Sequence, residues 1–286
     1  MIVFPNAKIN LGLNIVERRP DGYHNLETVF YPISLADILE VTPRSGQGEA
    51  RLHLSGLVPE GAAEDNLVVR AYRLLEKKRS LPSVDIYLHK VIPSGAGMGG
   101  GSSDATAMLQ LLNSLFALGL TEEELTENAR TLGADCPFFL KNCPAFAQNT
   151  GDLLEKVPVL LSDFRMAIVK PPIFVSTAAA FRSVTPRRSE IPVRQAVLDY
   201  PVSKWREVLH NDFEGSLFPQ FPQLARVKSK LYESGALYAS MTGSGSAFFA
   251  LYPLSETTGA AEAPLLRTRL AELFPDSFVW TDESLH

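Results

Sequence analysis

Residues 93–105 read PSGAGMGGGSSDA, and five of the seven residues from 95 to 101 are glycine. The stretch follows a segment with the alternating apolar pattern of a β-strand and precedes one with the spacing of an amphipathic helix. Glycines let the backbone approach a ligand closely, and the first turn of a helix leaves unpaired N–H groups and a partial positive charge. The stretch therefore predicts a loop that binds a phosphate chain at the start of a helix.

Two familiar phosphate-binding loops do not match this stretch. A Walker A loop requires a lysine directly after its glycines, whereas Ser102 and Ser103 stand there. A dinucleotide-binding loop follows the first strand of a parallel sheet, whereas three or more predicted strands precede this loop. A lone GxGxxG spacing is equally compatible with a tight structural turn, so the loop by itself leaves that alternative open.

The remaining segments alternate between strand and helix patterns. In residues 7–15 apolar residues alternate with Lys8, Asn10 and Asn14, which predicts a strand with these three side chains on one face, and a solvated lysine is the simpler alternative for Lys8. Further strands are predicted at 28–34, 38–42, 51–55, 84–88, 145–148, 153–157, 166–170, 247–252 and 278–281.

Helix signals lie between these strands. Asp65 and Asn66 can cap a helix over 67–75, and Thr121 with Glu124 forms a capping box. Helices are predicted at 67–75, 105–116, 121–133, 177–183, 204–209 and 223–234, and before the last strand, with 185–201 as a surface connection. The pattern predicts an α+β fold with two lobes and a cleft between them, a strand-rich N-terminal domain over 1–160 and an α/β C-terminal domain over 161–286.

Composition restricts the function classes. The chain has 286 residues, is 45% hydrophobic and carries a net charge of -5, which predicts a folded protein without the basic surface of a nucleic-acid-binding module. We expect a cytoplasmic protein, because the first residues lack a signal-peptide pattern and no apolar run is long enough for a membrane span. Cys136 and Cys143 have no metal-site spacing and are interpreted as reduced core thiols. Monomer and homodimer are both compatible with the sequence.

Ordered motifs along the chain resemble those of one enzyme family. Beside the glycine loop they are AKINLGLNI at 7–15, DGYHNL at 21–26, EDNLV at 64–68, LGADCPFF at 132–139 and TGSGSAFF at 242–249. Together they resemble the GHMP kinases, small-molecule kinases that include galactokinase, homoserine kinase and mevalonate kinase. The resemblance implies a two-lobed fold in which the C-terminal domain has a ferredoxin-like arrangement.

The resemblance also implies which residues act. Lys8 and Asp135 would form the catalytic pair, with Asp135 near the substrate hydroxyl and Lys8 near both the γ-phosphate and Asp135. The nucleotide-binding residues would be Pro93, Ser94, Gly95, Ala96, Gly97, Met98, Gly99, Gly100, Gly101, Ser102, Ser103 and Asn66. The substrate-binding residues would be Asn10, Tyr23, His24, Thr177, Phe181, Thr242 and Gly243.

Several of these residues also fit a structural role. Asp135 follows a helix stop, where a cap or turn residue is common, and Asn66 is explained equally well as a helix cap. Tyr23 suits packing within a hairpin, and Thr242 with Gly243 suits a tight β-turn. The residue patterns alone leave these alternatives open.

The resemblance finally implies the chemistry. ATP would be the phosphate donor with Mg²⁺ as its companion, and no protein ligand of the metal is assigned. The motifs are closest to a branch of the family that phosphorylates the 2-hydroxyl of a cytidylated methylerythritol in non-mevalonate isoprenoid synthesis, with Tyr23, His24 and Phe181 around the cytosine ring. Residues 182–200 match no motif of that branch. The alternatives are another GHMP kinase, acting on homoserine, mevalonate or a sugar, and a regulator of this fold that has lost catalysis.

Overall fold

The computed structural model of the chain describes residues 1–59, 61–254 and 262–282. The strands are β1 (Ile2–Val3), β2 (Asn6–Arg18), β3 (His24–Ala36), β4 (Ile38–Gln47), β5 (Ala50–Gly56), β6 (Pro82–Lys90), β7 (Ala145–Gln148), β8 (Leu153–Lys156), β9 (Phe164–Lys170), β10 (Tyr238–Met241), β11 (Phe248–Pro253) and β12 (Phe278–Thr281). The helices are α1 (Leu67–Glu76), α2 (Gly100–Leu115), α3 (Glu122–Leu132), α4 (Cys136–Lys141), α5 (Thr177–Ser183), α6 (Val193–Asp199), α7 (Val202–Val208), α8 (Asp212–Leu217), α9 (Pro222–Glu233) and α10 (Glu262–Leu273).

The predicted elements are present, with one correction. Residues 185–201, predicted as a surface connection, contain helix α6. Its buried residues are Val193, Ala196 and Val197, which have helical spacing. This periodic segment is too short to predict a helix in a region rich in proline. The short elements β1, β10, α4 and α8 were also not predicted, because two to six residues give too little periodic signal.

The chain divides into two compact units, and each is described by itself. The first comprises Met1–Lys8, Pro32–Ser94 and Gly99–Cys143, and the second comprises the rest of the chain. Both units are discontinuous in sequence, because β2 and β3 each contribute residues to both. The division of the sequence into domains at residue 160 stays a prediction.

The first unit contains a four-stranded sheet in the order β1-β4-β6-β5. Strands β5 and β6 are parallel, and helix α1 lies in the connection between them, as a parallel pair requires. Asn66 caps α1 by accepting a hydrogen bond from the Val68 N–H at 3.1 Å. Apolar residues of β4, β6 and α1–α4 form one core, so the sheet and its helices hold the start of α2 in place.

The second unit contains an antiparallel sheet in the order β10-β11-β9-β12. Helix α9 precedes β10 and helix α10 precedes β12, so the main elements run β9-α9-β10-β11-α10-β12. This order with this strand arrangement is ferredoxin-like, which confirms the predicted fold of the C-terminal region. Leu224, Leu231, Leu266 and Leu270 of the two helices belong to the core that also contains the β9 and β11 side chains.

Strand β2 is buried on both faces. The alternation predicted a polar face for Lys8, Asn10 and Asn14, but their exposed fractions are only 3%, 2% and 5%. The solvated-lysine alternative for Lys8 is therefore wrong, because a strand covered on both sides offers no solvent face. A buried ammonium group requires a charged or hydrogen-bonding partner.

Two further expectations concern membrane-spanning helices and the two cysteines. Among the described residues no helix is both long and apolar enough to cross a membrane. Both cysteines are free thiols, and Cys136 is buried as predicted. The prediction was wrong for Cys143, which is only half-buried because it follows the C-terminal end of α4.

Candidate active site

Lys8 and Asp135 meet in the first unit. The Lys8 Nζ lies 3.4 Å from an Asp135 carboxylate oxygen, with the lysine side chain 4% exposed and the aspartate side chain 33% exposed. Asp135 occupies the N-cap position of α4, but its side chain makes no capping hydrogen bond. The carboxylate is therefore directed to the lysine and to solvent rather than used as a cap, and it remains accessible to a ligand.

The lysine side chain lies beside the start of α2. A methyl group built on Gly99 would lie 3.3 Å from the Lys8 Cε and 3.0 Å from the Phe139 ring, so a side chain here would force the ring or the lysine to shift. Gly99 has a φ of +69°, a left-handed conformation that glycine adopts readily. The pair Lys8 and Asp135 thus lies next to the turn that starts α2.

The N-terminus of α2 has the features of an anion site. Its N-cap residue, Gly99, supplies no side-chain hydrogen bond, so the first N–H groups of a 16-residue helix are uncapped by a side chain. Such a terminus favours negative charge. Ser102 is half-buried and Ser103 is buried in the first turns, while Gly101 is exposed. Helix α2 begins five residues before the predicted start at residue 105, so Gly100 to Ser103 form its first turn. The assignment of these residues to nucleotide binding stays a prediction.

The earlier part of the loop belongs to the second unit. Residues 95–98 lie against the turn at 242–246, where Thr242 Oγ1 donates to the Gly97 carbonyl at 3.1 Å and the Ala247 N–H donates to the Ala96 carbonyl at 3.4 Å. Gly95 packs beside the exposed ring of Phe174. The motif TGSGS thus supports the glycine loop through the Thr242 side chain, and Ala247 adds a backbone contact. Pro93 is half-buried, Ser94 exposed and Met98 buried.

Asn10 holds this turn rather than facing open space. Its side-chain oxygen accepts a hydrogen bond from the Gly243 N–H at 3.0 Å, its backbone N–H donates to Thr242 Oγ1 at 3.1 Å, and its Nδ2 donates to Thr28 Oγ1 at 3.0 Å. Asn211, which was not predicted, donates from Nδ2 to the carbonyls of Met241 and Gly243 at 2.8 and 2.9 Å. Two buried amides therefore fix the turn on both sides.

A group of aromatic side chains lies elsewhere in the second unit. The rings of His24 and Phe181 are stacked with centroids 5.2 Å apart, and Phe181 contacts Phe213 edge-on at 4.9 Å. Tyr23 is 67% exposed, so it does not serve hairpin packing. Partial burial, and then the charge of Arg18, lower the pKa of His24, which favours the neutral imidazole with one donor and one acceptor nitrogen.

Thr177 is at the start of α5 and links it to the glycine turn. Its hydroxyl lies 2.9 Å from the Ser244 hydroxyl, and the Ser246 hydroxyl is hydrogen-bonded to the Ile173 carbonyl. Residues 173–177 and 242–246 therefore form one connected segment of the second unit.

A cavity of about 200 Å³ lies in the first unit beside the helical end of the loop. Its polar lining includes Asn66, Ser94, Lys90 and Asp104, and its apolar lining comes from Leu54, Pro59, Ala62 and Leu67. Asn66 thus both caps α1 and borders a cavity, so its two interpretations are compatible. Lys90 and Asp104 were not predicted as site residues, because Lys90 is an ordinary polar residue after a predicted strand and no role was assigned to Asp104 within the stretch 93–105.

Chemically, the first unit combines an uncapped helix N-terminus with a buried ammonium group and an accessible carboxylate. The helix terminus and the ammonium suit the negative charge of a phosphate chain, and the carboxylate can accept a hydrogen bond from a hydroxyl. This combination is suited to phosphoryl transfer, which depends mainly on positioning and charge compensation.

Comparison with known proteins gives family matches in both halves of the chain. Residues 66–142 match the GHMP kinases N terminal domain, and residues 202–274 match the GHMP kinases C terminal model. A curated protein of Bacteroides thetaiotaomicron, named 4-diphosphocytidyl-2-C-methyl-D-erythritol kinase, is 52% identical over 253 residues, which are 88% of this chain and 92% of that protein. A protein of the same name from Parabacteroides distasonis is 45% identical over 280 residues, 98% of each chain.

A solved structure extends the similarity to the fold. The crystal structure of a 4-(cytidine 5'-diphospho)-2C-methyl-D-erythritol kinase superposes with a TM-score of 0.79 at 34% identity, and the match covers 98% of both chains. The similarity therefore extends along nearly the whole sequence, including residues 182–200, where no motif had been found.

Proposed function

The chain belongs to the GHMP kinases, and on that premise we propose that it is a 4-diphosphocytidyl-2-C-methyl-D-erythritol kinase. It transfers the γ-phosphoryl group of ATP to the 2-hydroxyl of its cytidylated acceptor, giving the 2-phosphate and ADP for non-mevalonate isoprenoid synthesis. The observation that carries the kinase chemistry is the contact of 3.4 Å between Lys8 and Asp135 beside the start of α2.

In the proposed reaction the acceptor oxygen forms a bond to the γ-phosphorus as the bond to the β,γ-bridging oxygen breaks. ADP leaves with that electron pair, and the hydroxyl proton is released through Asp135. The transition state is loose, so Asp135 acts first by orienting the hydroxyl as a hydrogen-bond acceptor. Lys8, buried and fixed beside Gly99, compensates the negative charge of the transferred group.

The glycine loop and the first turn of α2 would hold the phosphates of ATP. Backbone N–H groups at a helix terminus supply hydrogen bonds without side-chain reorganisation. The cavity lined by Asn66 and Leu67 is the candidate site for the nucleoside part, since apolar walls with a few polar groups are typical of such pockets.

Mg²⁺ fits as a companion of the ATP phosphates. No group of three or more His, Cys, Asp or Glu side chains among the described residues is arranged to hold a metal ion. Mg²⁺ commonly keeps several waters and binds together with phosphates through few protein oxygens, and the Ser102 and Ser103 hydroxyls at the start of α2 would be oxygen donors to it. Bound with ATP, the ion would neutralise phosphate charge.

The acceptor's cytosine ring would be recognised in the second unit. Phe181 and the exposed Tyr23 offer aromatic faces for stacking, and the neutral His24 offers a donor and an acceptor nitrogen for the edge of the base. Thr177 and Thr242 are the candidate hydroxyl contacts for the rest of the substrate, while Asn10 acts by holding Thr242 and Gly243. A cytoplasmic location is part of the proposal.

The experiment is a comparison of acceptors. Purified protein is incubated with Mg-ATP and, separately, the cytidylated methylerythritol, mevalonate, homoserine or galactose, and ADP release is measured. We expect release with the first alone. Release with one of the other three instead would assign a different GHMP kinase activity, and ATP binding without release in any mixture would favour a regulator that has lost catalysis.

A further inference from the structure

A buried cluster of charges lies in the first unit, beside residues 91–94 and the start of α2. Lys90, the last residue of β6, is hydrogen-bonded through Nζ to Asp37 and, at 2.6 Å, to Asp104 of α2. The side chains of Lys90, Asp37 and Asp104 are 4%, 0% and 3% exposed. One cation is thus shared by two carboxylates, one before the loop in sequence and one after it.

Asp37 holds the backbone that enters the loop. Its Oδ1 accepts hydrogen bonds from the N–H groups of Val91 and Ile92 at 2.5 and 2.8 Å. Its own N–H donates to the Pro5 carbonyl at 2.9 Å, which ties it to the N-terminal segment. Residues 91–92, directly before Pro93, are therefore fixed through Asp37.

Asp104 and Gly100 hold the backbone that leaves the loop. Asp104 lies in the second turn of α2 and is joined to Lys90. A methyl group on Gly100 would lie 2.9 Å from the Ile92 Cγ2 and 3.5 Å from the Lys90 Nζ, so the missing side chain lets the helix start pack directly on the segment that precedes the loop. Both ends of the loop are thereby linked through Lys90.

The cluster is poorly arranged for stability alone. The Oδ1 of Asp104 is buried and has no hydrogen-bond partner among the described residues. Buried ion clusters often contribute less to stability than apolar residues of similar volume. Lys90 and Asp104 also line the cavity proposed for the nucleoside, where a role in ligand binding is expected.

We propose that Asp37, Lys90 and Asp104 form an ionic clasp that fixes both ends of the glycine loop and thereby sets the affinity for ATP. The three are positioning residues, because they act through the loop backbone and the helix start. The inference rests on the proposed function for the identity of the ligand. It adds Asp37 and Lys90, which lie in none of the motifs, and it gives a role to Asp104, which is neither in the catalytic pair nor among the assigned nucleotide-binding residues.

The test is the binding of ATP, measured by titration calorimetry without acceptor. Asp104→Ala leaves Lys90 paired with Asp37 but releases the helix, so we expect ATP affinity to fall about tenfold to a hundredfold. Its melting temperature at pH 8 should be equal to that of the wild type or higher, because a costly buried charge is removed. Asp104→Asn keeps an oxygen that accepts from Lys90 and should recover most of the affinity.

Tyr72→Phe is the matched control in the same unit. The buried Tyr72 hydroxyl donates to the Pro82 carbonyl at 2.9 Å, away from the loop, so its loss should lower the melting temperature and leave ATP affinity unchanged. Wild-type ATP affinity in Asp104→Ala would overturn the proposal. The proposal would also be overturned if the melting temperature of Asp104→Ala fell as far as that of Tyr72→Phe. The same holds if Tyr72→Phe lost as much ATP affinity as Asp104→Ala. A wild type that binds ATP but phosphorylates no acceptor would refute the proposed function only.

Discussion

Replacing Gly97 by alanine would place a methyl group against backbone that has no room to move. A Cβ at this position would lie 2.1 Å from the Thr242 carbonyl oxygen, 2.9 Å from its carbon and 3.2 Å from the Gly243 Cα. Gly97 also has a φ of +74°. The contacted turn is held by Asn10 and Asn211, so it cannot withdraw without breaking buried hydrogen bonds.

The expected cost has two parts. A left-handed conformation costs a residue with a side chain about 1–2 kcal/mol. Overpacking of a filled site costs about 1–3 kcal/mol more. The sum is about 2–5 kcal/mol, which appears as lost stability if the loop stays in place and as lost ATP affinity if the loop is displaced. We expect both effects, because neither backbone can relieve the overlap by a rotamer change.

The measurement combines urea unfolding followed by circular dichroism with calorimetric titration of ATP. Gly235→Ala is the control, since Gly235 has a φ of +97° and nothing lies within 4 Å of the added methyl group. The free energy of unfolding of Gly235→Ala should be about 1–2 kcal/mol lower than that of the wild type, and its ATP affinity should be unchanged. If Gly97→Ala is no less stable than Gly235→Ala and binds ATP like the wild type, the proposed contact between loop and turn is refuted.

Four other outcomes are expected from single residues. Asp135→Asn should lower kcat for ADP release by about 10²–10⁴-fold with ATP affinity unchanged, and equal turnover would remove Asp135 from the mechanism. Phe181→Ala should weaken acceptor binding by about 1–3 kcal/mol, measured as a higher KM for the cytidylated substrate at constant KM for ATP; an unchanged acceptor KM contradicts stacking. Burial raises the pKa of Asp104 from 3.8 to about 7, so the folded state binds the proton more tightly than the unfolded state does. The free energy of unfolding therefore falls as the pH rises between these values. Asp104→Asn should therefore gain stability relative to the wild type between pH 4 and pH 8 in urea unfolding, and a constant difference refutes this. Burial raises the pKa of the Cys136 thiol to about 11, so a thiol reagent at pH 8 should modify Cys143 first and Cys136 only after denaturation; rapid native modification in Cys143→Ser would be contrary to this.

The buried polar residues were the part of the site hardest to predict. Asn211, Asp212 and Glu214 follow one another closely in sequence, and all three are buried. Asn211 and Glu214 bond to the turn at 242–246 and to β10, whereas Asp212 accepts a hydrogen bond from the Ile15 N–H of β2 at 2.8 Å. In sequence they resemble a polar helix start, and Asn211 indeed caps α8. The only available signal was this concentration of hydrogen-bonding side chains, which a surface helix end would show equally.

The sequence by itself determined the local structure. The strand patterns, the Thr121 capping box, the Asn66 cap and the glycine loop before α2 all depend on residues within a few positions of one another. The hydrogen bonds and steric preferences that form these elements act between residues a few positions apart, so the elements can be predicted from the sequence. The ordered motifs also identified the family, because they occur along the chain in the order and at the spacing typical of GHMP kinases.

Only the tertiary structure decided which of these residues meet. Asn10 and Thr242 are 232 positions apart, and Lys90 joins Asp37 and Asp104 from two other elements. The alternation in the sequence identified Lys8 as a polar residue of a strand, but its burial results from packing against both faces of β2. Hydropathy indicates which residues avoid water, whereas the pairing of buried polar groups depends on the path of the chain, and that path is fixed by packing between distant segments.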